Sequence, residues 1–380
     1  MSIYLDNAAT TQIDSEVIEA ICKVMEENYG NPSSVHAFGR KARAEIEKAR
    51  RTVSSLLKVS PAEIFFTSGG TEADNMVILC SIRDLGVKHI ITSKIEHHAV
   101  LHSVEVAEAN GDVKVSFVNL TENGHIDTKH LEELLQTKEK TLVSLMHANN
   151  EIGTLLDAEA VSALCKKYNA YFHSDTVQTM GHYTIDVNTF GADFLTCSAH
   201  KFHGPKGIGF LYVSKEVKMS PMIQGGSQER GMRGGTENIT GIVGLAKALE
   251  LANTDILEHQ EHVQGLKTYM MAQLIARIPG VNFHGETSPD KSLYTVLNVC
   301  FPPFENKSML LFLLDLDGIA SSGGSACTSG ASVGSHVLRG IQADINRPNA
   351  RFSFSRYTTM EEINYVLEII EKIVLAVPVG

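Results

Sequence analysis

Short apolar segments alternate with longer segments of helical apolar spacing in the first half of the chain, and this alternation constrains the fold most. The apolar runs predict strands at 64–66, 89–92, 113–118, 142–146, 170–174, 194–197 and 208–213. Parallel strands need long crossover connections, usually helices, so strands separated by helical segments indicate an α/β chain with a mostly parallel, buried sheet. Sheets of this type bind ligands outside the carboxyl ends of their strands.

The length of the chain indicates two lobes. Its 380 residues exceed what one hydrophobic core usually serves. A long helical stretch at 239–276 follows the sheet and predicts the connection to a second lobe. We therefore expect a large domain at 14–250 and a smaller domain formed by 1–13 together with 251–380.

Charge and cysteine content limit the partners and the compartment. The formal net charge of −11 argues against non-specific binding to nucleic acid or to anionic membranes. The longest apolar run is too short to span a bilayer, and the first residues do not resemble a signal peptide. The six cysteines include no Cys-x-x-Cys pair, which indicates neither a disulfide framework nor a structural metal site. A protein of the reducing cytoplasm is expected.

Lys201 lies between two predicted strands, in a segment rich in histidine and glycine. A lysine that attacks a carbonyl group must first lose its proton, which desolvation and nearby positive charge favour. The flanking strands supply apolar surroundings, so we interpret Lys201 as a lysine that forms an aldimine. Ser198 and His200 offer polar side chains suited to a phosphate. An exposed lysine in a basic turn is the alternative.

A strand runs directly into Gly69, Gly70 and Thr71, and a helix follows. Backbone N–H groups at a helix N-terminus favour an anion, so this turn predicts a phosphate site. The segment is neither a Walker loop nor a dinucleotide-binding turn. A tight turn with a threonine cap is the alternative.

Asp175 ends another predicted strand before Lys201. A carboxylate there is suited to pair with a protonated pyridine nitrogen and keep such a ring electron-withdrawing. Alone, the residue is as well explained as a helix cap. The ordered set of phosphate turn, aspartate and lysine is more specific than its parts, and it favours pyridoxal 5′-phosphate as the cofactor.

Histidines follow the strand at 89–92. The imidazole of His97 is suited to stack on a cofactor ring and to exchange protons. His98 and His102 stand at helical spacing for a shared metal ion, the alternative use of this segment. No further ligand follows at the spacing that metalloprotease helices use, so we predict no metal.

Seven motifs in order give the chain a resemblance over essentially its whole length to cysteine desulfurases of the NifS/IscS type, in the class V aminotransferase family. The motifs are LDNAATT at 5–11, TSGGTEADN at 67–75, MHANNEIG at 146–153, SAHK at 198–201, ERGMRGGT at 229–236, SACTS at 325–329 and RFS at 351–353. The resemblance implies fold type I, with a mostly parallel seven-stranded sheet, helices on both its faces and a smaller α+β domain.

The resemblance also implies roles for individual residues. Lys201 corresponds to the aldimine lysine, Asp175 to the partner of the pyridine nitrogen, Gln178 to the donor to the ring oxygen, and His97 to the acid/base histidine that stacks on the ring. The corresponding phosphate ligands are Gly70, Thr71, Ser198 and His200, with Thr236 reaching the phosphate of the neighbouring subunit in a homodimer. The corresponding substrate-binding residues are Asn150, Arg351 and Asn7.

Cys327 corresponds to the nucleophile of the family. It stands in a glycine- and serine-rich loop at about 320–335, where a thiol is expected to be exposed and able to move. A small buried hydrophobic residue is the alternative for a cysteine. The loop has one glycine more than the usual pattern, at Gly323 and Gly324.

The function implied is removal of sulfur from L-cysteine, giving L-alanine and a persulfide on Cys327 for an iron–sulfur scaffold or another acceptor protein. Selenocysteine lyase or cysteine-sulfinate desulfinase activity is an alternative that depends less on Cys327. A scaffold subunit without catalysis is a further alternative, against which the presence of Lys201, Asp175 and His97 argues.

Overall fold

The computed structural model describes residues 2–305, 307–323 and 334–375. Its strands are β1 (Ile3–Tyr4), β2 (Ile64–Thr67), β3 (His89–Thr92), β4 (Lys114–Phe117), β5 (Thr141–Ser144), β6 (Tyr171–Asp175), β7 (Phe194–Ser198), β8 (Gly209–Val213), β9 (Asn282–His284), β10 (Val296–Cys300), β11 (Ile319–Ala320) and β12 (Asn349–Ser353). Its α-helices are α1 (Ser15–Glu27), α2 (Ala37–Leu57), α3 (Gly70–Leu85), α4 (His98–Ala109), α5 (Thr128–Leu135), α6 (Ala158–Lys167), α7 (Val187–Phe190), α8 (Ile239–Asn253), α9 (Ile256–Arg277), α10 (Leu310–Leu316), α11 (His336–Gly340) and α12 (Met360–Val374).

The central sheet has seven strands in the order β2-β8-β7-β6-β5-β3-β4. Neighbouring strands are parallel except at β8, which runs antiparallel to both β2 and β7. The predicted α/β fold with a mostly parallel sheet is therefore confirmed. Strand β4 forms one edge and is partly exposed, whereas the strands in the middle are buried.

Helices cover both faces of this sheet. Side chains of successive strand residues point to opposite faces, so neighbouring residues of one strand pack against different helices. On β8, Phe210 and Tyr212 belong to one hydrophobic cluster, which also includes residues of α2, α6 and α8. Leu211 and Val213 belong to another, with residues of α3 and α4. The continuous apolar run of β8 is thus explained by burial on both faces.

A separate hydrophobic cluster contains residues from both ends of the chain. Ile3 and Leu5 pack there with residues of α9, β10, β12 and α12. Strand β1 pairs with β11 in parallel, and a three-stranded antiparallel sheet has the order β12-β10-β9. The N-terminal strand therefore packs with the C-terminal third of the chain.

The stretch at 239–276 forms two helices rather than one. Thr254, with φ −66° and ψ −97°, ends α8 before α9 begins. Leu245 and Leu249 of α8 pack on the large sheet, whereas Leu266 and Met270 of α9 pack in the cluster with the N-terminal strand. The break separates the parts that serve different cores.

Within the described ranges 2–305, 307–323 and 334–375, every helix is too short or too polar to cross a membrane.

Candidate active site

A cavity of about 500 Å³ opens at the edge of the sheet where β2, β6 and β7 end. Its volume lies within the range of roughly 300–1,000 Å³ common for small-molecule sites. Of the predicted site residues, the structure brings the following to the cavity wall: Gly70, Thr71, His97, Asn150, Asp175, Gln178, Ser198, His200, Lys201 and Arg351.

Lys201 ends a 3₁₀-helical turn, Ala199–Lys201, directly after β7. Its Nζ donates hydrogen bonds to the backbone oxygens of Ala8 at 2.6 Å and Ala9 at 2.8 Å. The ring of His182 contacts the backbone oxygen of Lys201 through Nε2 at 3.1 Å. The turn after β1 therefore holds the amino group of Lys201 at the cavity, and His182 contacts the backbone of the same residue.

The turn between β2 and α3 has the geometry of an anion site. A Cβ atom on Gly70 would lie 2.8 Å from Cγ2 of Val177, so only glycine fits without displacement. Helix α3 begins at Gly70, its N-cap residue Gly69 makes no side-chain cap hydrogen bond, and the first turn of a helix has backbone N–H groups without a partner inside the helix. Gly69, Gly70 and Thr71 line the cavity. The side chain of Ser198 lines the same wall. An anion placed there would be stabilised by the helix N-terminus.

Glu72 and Arg233 stabilise this turn by hydrogen bonds. Glu72 Oε2 accepts a hydrogen bond from Ser68 N at 2.9 Å, and the Arg233 guanidinium donates to both Glu72 oxygens at 3.0 and 3.2 Å. Burial alone would raise the pKa of Glu72, but the bonds from Arg233 and Ser68 leave its pKa below the usual value. Glu72 is thus held as a carboxylate, and it joins the turn to the glycine-rich loop that contains Arg233.

Asp175 ends β6 and is only 5% exposed. Its Oδ1 accepts a hydrogen bond from Val177 N at 2.9 Å. Burial, with the nearby Asp74, raises the pKa of Asp175 to about 7. A cationic group in the cavity would favour the ionised form of this carboxyl group.

His97 caps the N-terminus of α4, where its Nδ1 accepts a hydrogen bond from Ala99 N at 3.2 Å. Burial and the charge of Lys201 lower the pKa of His97 to about 4. The ring is therefore neutral at physiological pH, and because Nδ1 accepts, its proton is on Nε2.

Two further predicted residues are fixed by the loop after β1. His200 Nδ1 lies 3.2 Å from Thr10 Oγ1, and burial with the charge of Lys201 lowers the pKa of His200 to about 4. Gln178 Nε2 donates to Ala8 O at 3.1 Å. The loop thus contacts the side chains of residues from two different strand ends.

Arg351 lies on β12 and is 1% exposed. Its guanidinium donates to Asn150 O at 2.8 Å and to Asp6 Oδ1 at 2.7 Å. Its Nε has no hydrogen-bond partner within residues 2–305, 307–323 and 334–375. A buried arginine with an unsatisfied donor at the cavity wall is suited to bind a carboxylate.

Two predicted site residues, Asn7 and Thr236, do not line this wall. Asn7 is buried beside it, and its amide donates to the backbone oxygens of Tyr4 at 3.3 Å and Ser353 at 2.8 Å. Thr236 is exposed and does not line the cavity of its own chain. Cys327 lies outside the described residues.

Sequence reasoning missed several residues of the wall, among them Asp74, Glu72 and Lys206. The signal for Asp74 was available, because a residue four positions after Gly70 stands on the same helix face one turn later. Lys206 has no comparable signal in the connection between β7 and β8.

The histidines suggested as an alternative metal site pack against one another. The ring centroids of His98 and His102 are 4.8 Å apart, and those of His98 and His336 are 4.4 Å apart. In the part of the chain that the structure describes, no group of three or more His, Cys, Asp or Glu residues is arranged to hold a metal ion.

A family model described as Aminotransferase class-V matches residues 3–366. The chain belongs to this family. Class-V aminotransferases are pyridoxal 5′-phosphate enzymes. The chain is 43% identical, over 376 residues, to a protein of Dictyoglomus turgidum named cysteine desulfurase IscS, and the match covers 98% of this chain and 94% of that protein.

Solved structures superpose on nearly the whole chain. One described as a NifS-like protein superposes with a TM-score of 0.91 at 38% identity and covers 99% of this chain and 100% of that one. Another, described as SspA in complex with cysteine, gives a TM-score of 0.81 at 31% identity and covers 94% and 100% of the two chains. The α/β fold with its seven-stranded sheet is that of NifS-like enzymes.

The residues of the cavity fit the cofactor of the class-V family. A phosphate suits the N-terminus of α3 with Ser198, and a pyridine nitrogen that carries a proton suits the buried carboxyl group of Asp175. An aldehyde suits the amino group of Lys201. The three groups line one cavity.

Proposed function

We propose that this protein is a pyridoxal 5′-phosphate-dependent cysteine desulfurase, which converts L-cysteine to L-alanine and keeps the sulfur atom as a persulfide on Cys327. The observation that carries the proposal is one cavity in which Lys201, Asp175 and Arg351 meet. The relatives named cysteine desulfurase support the choice of reaction.

When bound, the cofactor supplies an electron-withdrawing ring that weakens the bonds at the substrate Cα. The residues that would hold it are Gly70, Thr71, His97, Asp175, Gln178, Ser198, His200 and Lys201. Asp175 would be ionised beside the ring nitrogen, and the backbone N–H groups at the start of α3 would bind the phosphate.

Lys201 and His97 handle protons. The amino group of Lys201, held by the carbonyls of Ala8 and Ala9, is placed to accept the proton from the substrate Cα. His97 is neutral and carries its proton on Nε2, so it acts as a hydrogen-bond donor at physiological pH rather than as a cation.

Arg351 and Asn150 orient the substrate through its carboxylate. The guanidinium of Arg351 is already fixed by Asp6 and by the backbone of Asn150. A preorganised, buried cation of this kind selects an α-amino acid and fixes the direction in which its side chain points.

Sulfur transfer completes the reaction. The thiolate of Cys327 forms a bond to the substrate sulfur while the substrate Cβ–S bond breaks. The electron pair of that bond stays on Cβ, which takes up a proton, and the product is L-alanine. The substrate sulfur is oxidised and Cβ is reduced, so no external oxidant is needed.

Replacement of Arg351 by lysine tests the carboxylate site. Lysine keeps the positive charge but cannot make the paired hydrogen bonds of a guanidinium. We expect the KM for L-cysteine to rise about 10- to 100-fold, which corresponds to about 1.4–2.8 kcal/mol. Steady-state kinetics of alanine formation measure the change.

Arg347→Lys is the matched control. Arg347 lies just before β12 and donates to the backbone oxygens of Phe301 at 3.0 Å and Gly280 at 2.7 Å, away from the cavity. Its variant should keep the original KM. An Arg351→Lys variant with an unchanged KM would remove Arg351 from the substrate site.

We further propose a homodimer in which Thr236 contributes to the phosphate site of the neighbouring subunit. The glycine-rich loop that contains Thr236 is held firmly in its own chain: Arg50 is bound by Glu229 at 2.7 and 2.8 Å, in a buried pair. Thr236 itself remains exposed. A loop that is anchored in one subunit and exposed at its end is suited to contact a second one.

Sedimentation equilibrium is expected to give twice the chain mass of 41.4 kDa.

Thr236→Val should weaken the binding of pyridoxal 5′-phosphate about tenfold while the dimer persists, because one hydrogen bond to a charged phosphate is lost. An active monomer would contradict the shared site.

The remaining proposals concern partners, compartment and domains. The free cysteines Cys22, Cys80, Cys165, Cys197 and Cys300 support a reducing cytoplasm. We propose an iron–sulfur scaffold or another thiol-containing protein as the sulfur acceptor.

The separate hydrophobic clusters support a large domain at 14–250 and a small one formed by 1–13 and 251–380.

The alternative substrates are not favoured, because the relatives are named for cysteine. Parallel assays with L-cysteine, L-selenocysteine and L-cysteine sulfinate at equal concentration test this preference. L-Cysteine should be desulfurised in a reaction that requires Cys327.

A further inference from the structure

Asp74 is a buried carboxyl group of the cavity to which the mechanism above gives no role. It lies on α3 one turn after Gly70, is 1% exposed and lines the same wall as Asp175. Its Oδ1 has no hydrogen-bond partner among the described residues, and across the same residues no lysine or arginine forms an ion pair with Asp74. Burial of a carboxyl group without a cation is costly, so its presence at this wall calls for a function.

A chain of buried polar groups connects Asp74 to the strand that contains Asp175. The hydroxyl group of Thr196 faces the carboxyl group of Asp74, and this contact alone would lower the pKa of Asp74, but the effect of burial is larger and raises it. His173 Nε2 lies 3.0 Å from Thr196 Oγ1 and 3.5 Å from Asp74 Oδ1. His173 Nδ1 lies 2.8 Å from Ser144 Oγ. The side chains of Thr196 and His173 are fully buried, so water does not compete for these bonds.

Two residues of this chain of polar groups, His173 on β6 and Thr196 on β7, are neighbours of Asp175. His173 precedes Asp175 by two residues on β6, so both side chains point to one face of the sheet. Thr196 on β7 is the direct register partner of Asp175. Any rearrangement of Thr196 or His173 therefore changes the surroundings of the carboxyl group that faces the cavity.

Burial raises the pKa of Asp74 to about 7, and the pKa of Asp175 to about 7 as well, with Asp74 adding to the latter shift. Two neighbouring buried carboxyl groups do not both ionise readily. The other titratable groups that interact with the pair include Glu96, His173, Lys201 and Cys197. A cation in the cavity next to Asp175 leaves the proton on Asp74.

We propose that Asp74 is a positioning residue for Asp175: as a neutral carboxylic acid it holds Thr196 and His173 in one hydrogen-bonded arrangement and leaves the negative charge of this wall on Asp175. The proposal rests on the cofactor site described above. It adds a residue that acts through others and does not touch the reacting atoms.

Two variants separate a neutral hydrogen-bonding role from a charged one. Asp74→Asn keeps a neutral polar group of the same shape, whereas Asp74→Ala removes the partner of Thr196. Apoprotein is titrated with pyridoxal 5′-phosphate, and the visible absorption of the resulting holoprotein is followed against pH. Asp74→Asn should keep the Kd within about twofold and keep the pH midpoint, and Asp74→Ala should raise the Kd roughly tenfold and move the midpoint.

Thr196→Val provides a second test that does not change Asp74. The substitution is close to isosteric and removes the hydroxyl group that faces Asp74, so it should raise the Kd and move the pH midpoint as Asp74→Ala does. This test remains possible if the Asp74→Ala protein does not fold. Asp193→Asn is the control: Asp193 Oδ2 accepts from Phe172 N at 2.8 Å, at the start of β6 and away from the cavity. It should leave Kd and pH midpoint unchanged.

Each outcome decides the question. If Asp74→Asn is as defective as Asp74→Ala, the charge of the carboxylate is what matters and the proposal is wrong. If the holoprotein of Thr196→Val behaves like the original protein, the network does not position Asp175. A wild-type protein that does not bind pyridoxal 5′-phosphate would overturn the proposed function instead.

Discussion

Lys201→Ala is expected to abolish both the visible absorption of the protein with pyridoxal 5′-phosphate and its turnover of L-cysteine. The amino group of Lys201 is held at the cavity by the carbonyls of Ala8 and Ala9. The other lysine of the described wall, Lys206, makes no hydrogen bond to these two carbonyl groups. Loss of the group that carries the cofactor and moves the proton should lower kcat at least about a thousandfold.

Absorption spectra and alanine assays on the purified variant measure both effects. Lys215→Ala is the control, because Lys215 is an exposed lysine two residues after the end of β8 and does not line the cavity. A Lys201→Ala protein that keeps its colour and its activity would show that another residue carries the cofactor.

Cys327→Ala is expected to keep the cofactor and its affinity but to lose sulfide and persulfide production by roughly two to three orders of magnitude, as for removal of a nucleophile. Binding of the cofactor does not need the thiol, so the two readouts should separate. Cys22→Ala is the control, because Cys22 is a free and exposed cysteine.

Mass spectrometry after brief exposure to L-cysteine should find the added sulfur on the peptide that contains Cys327. The buried cysteines are poor competitors, because burial raises the pKa of Cys80 to about 11 and that of Cys165 to about 12. Burial also raises the pKa of Cys197 well above its usual value. Unchanged cysteine turnover in Cys327→Ala would exclude Cys327 as the sulfur acceptor and leave the cofactor site unaffected.

The strands and the positions of Lys201 and Asp175 could be predicted from the sequence because they depend on local patterns. Apolar runs of strand length, separated by helical periodicity, fix the class of the sheet. Residues at strand ends meet at one edge of a parallel sheet whatever the order of its strands. The candidate site therefore followed from which residues come directly after the strands.

Features set by contacts between distant segments could not be predicted in this way. The hydrogen bond of Arg351 to Asp6 joins residues 345 positions apart. Strand β8 runs antiparallel to the distant β2 as well as to β7, and the break at Thr254 arises because α8 and α9 pack on different cores. The link from Asp74 to His173 depends on how α3 packs against the sheet, which has no signature in the local sequence.

The most direct test of the proposed reaction is the product balance of the purified protein with L-cysteine, pyridoxal 5′-phosphate and a thiol reductant. Alanine, sulfide and pyruvate are measured in the same samples over many turnovers. A cysteine desulfurase releases alanine and sulfide in equal amounts without pyruvate, and this is the result that we predict. Formation of pyruvate and ammonia in step with sulfide, with little alanine, would show an elimination reaction and would contradict the account.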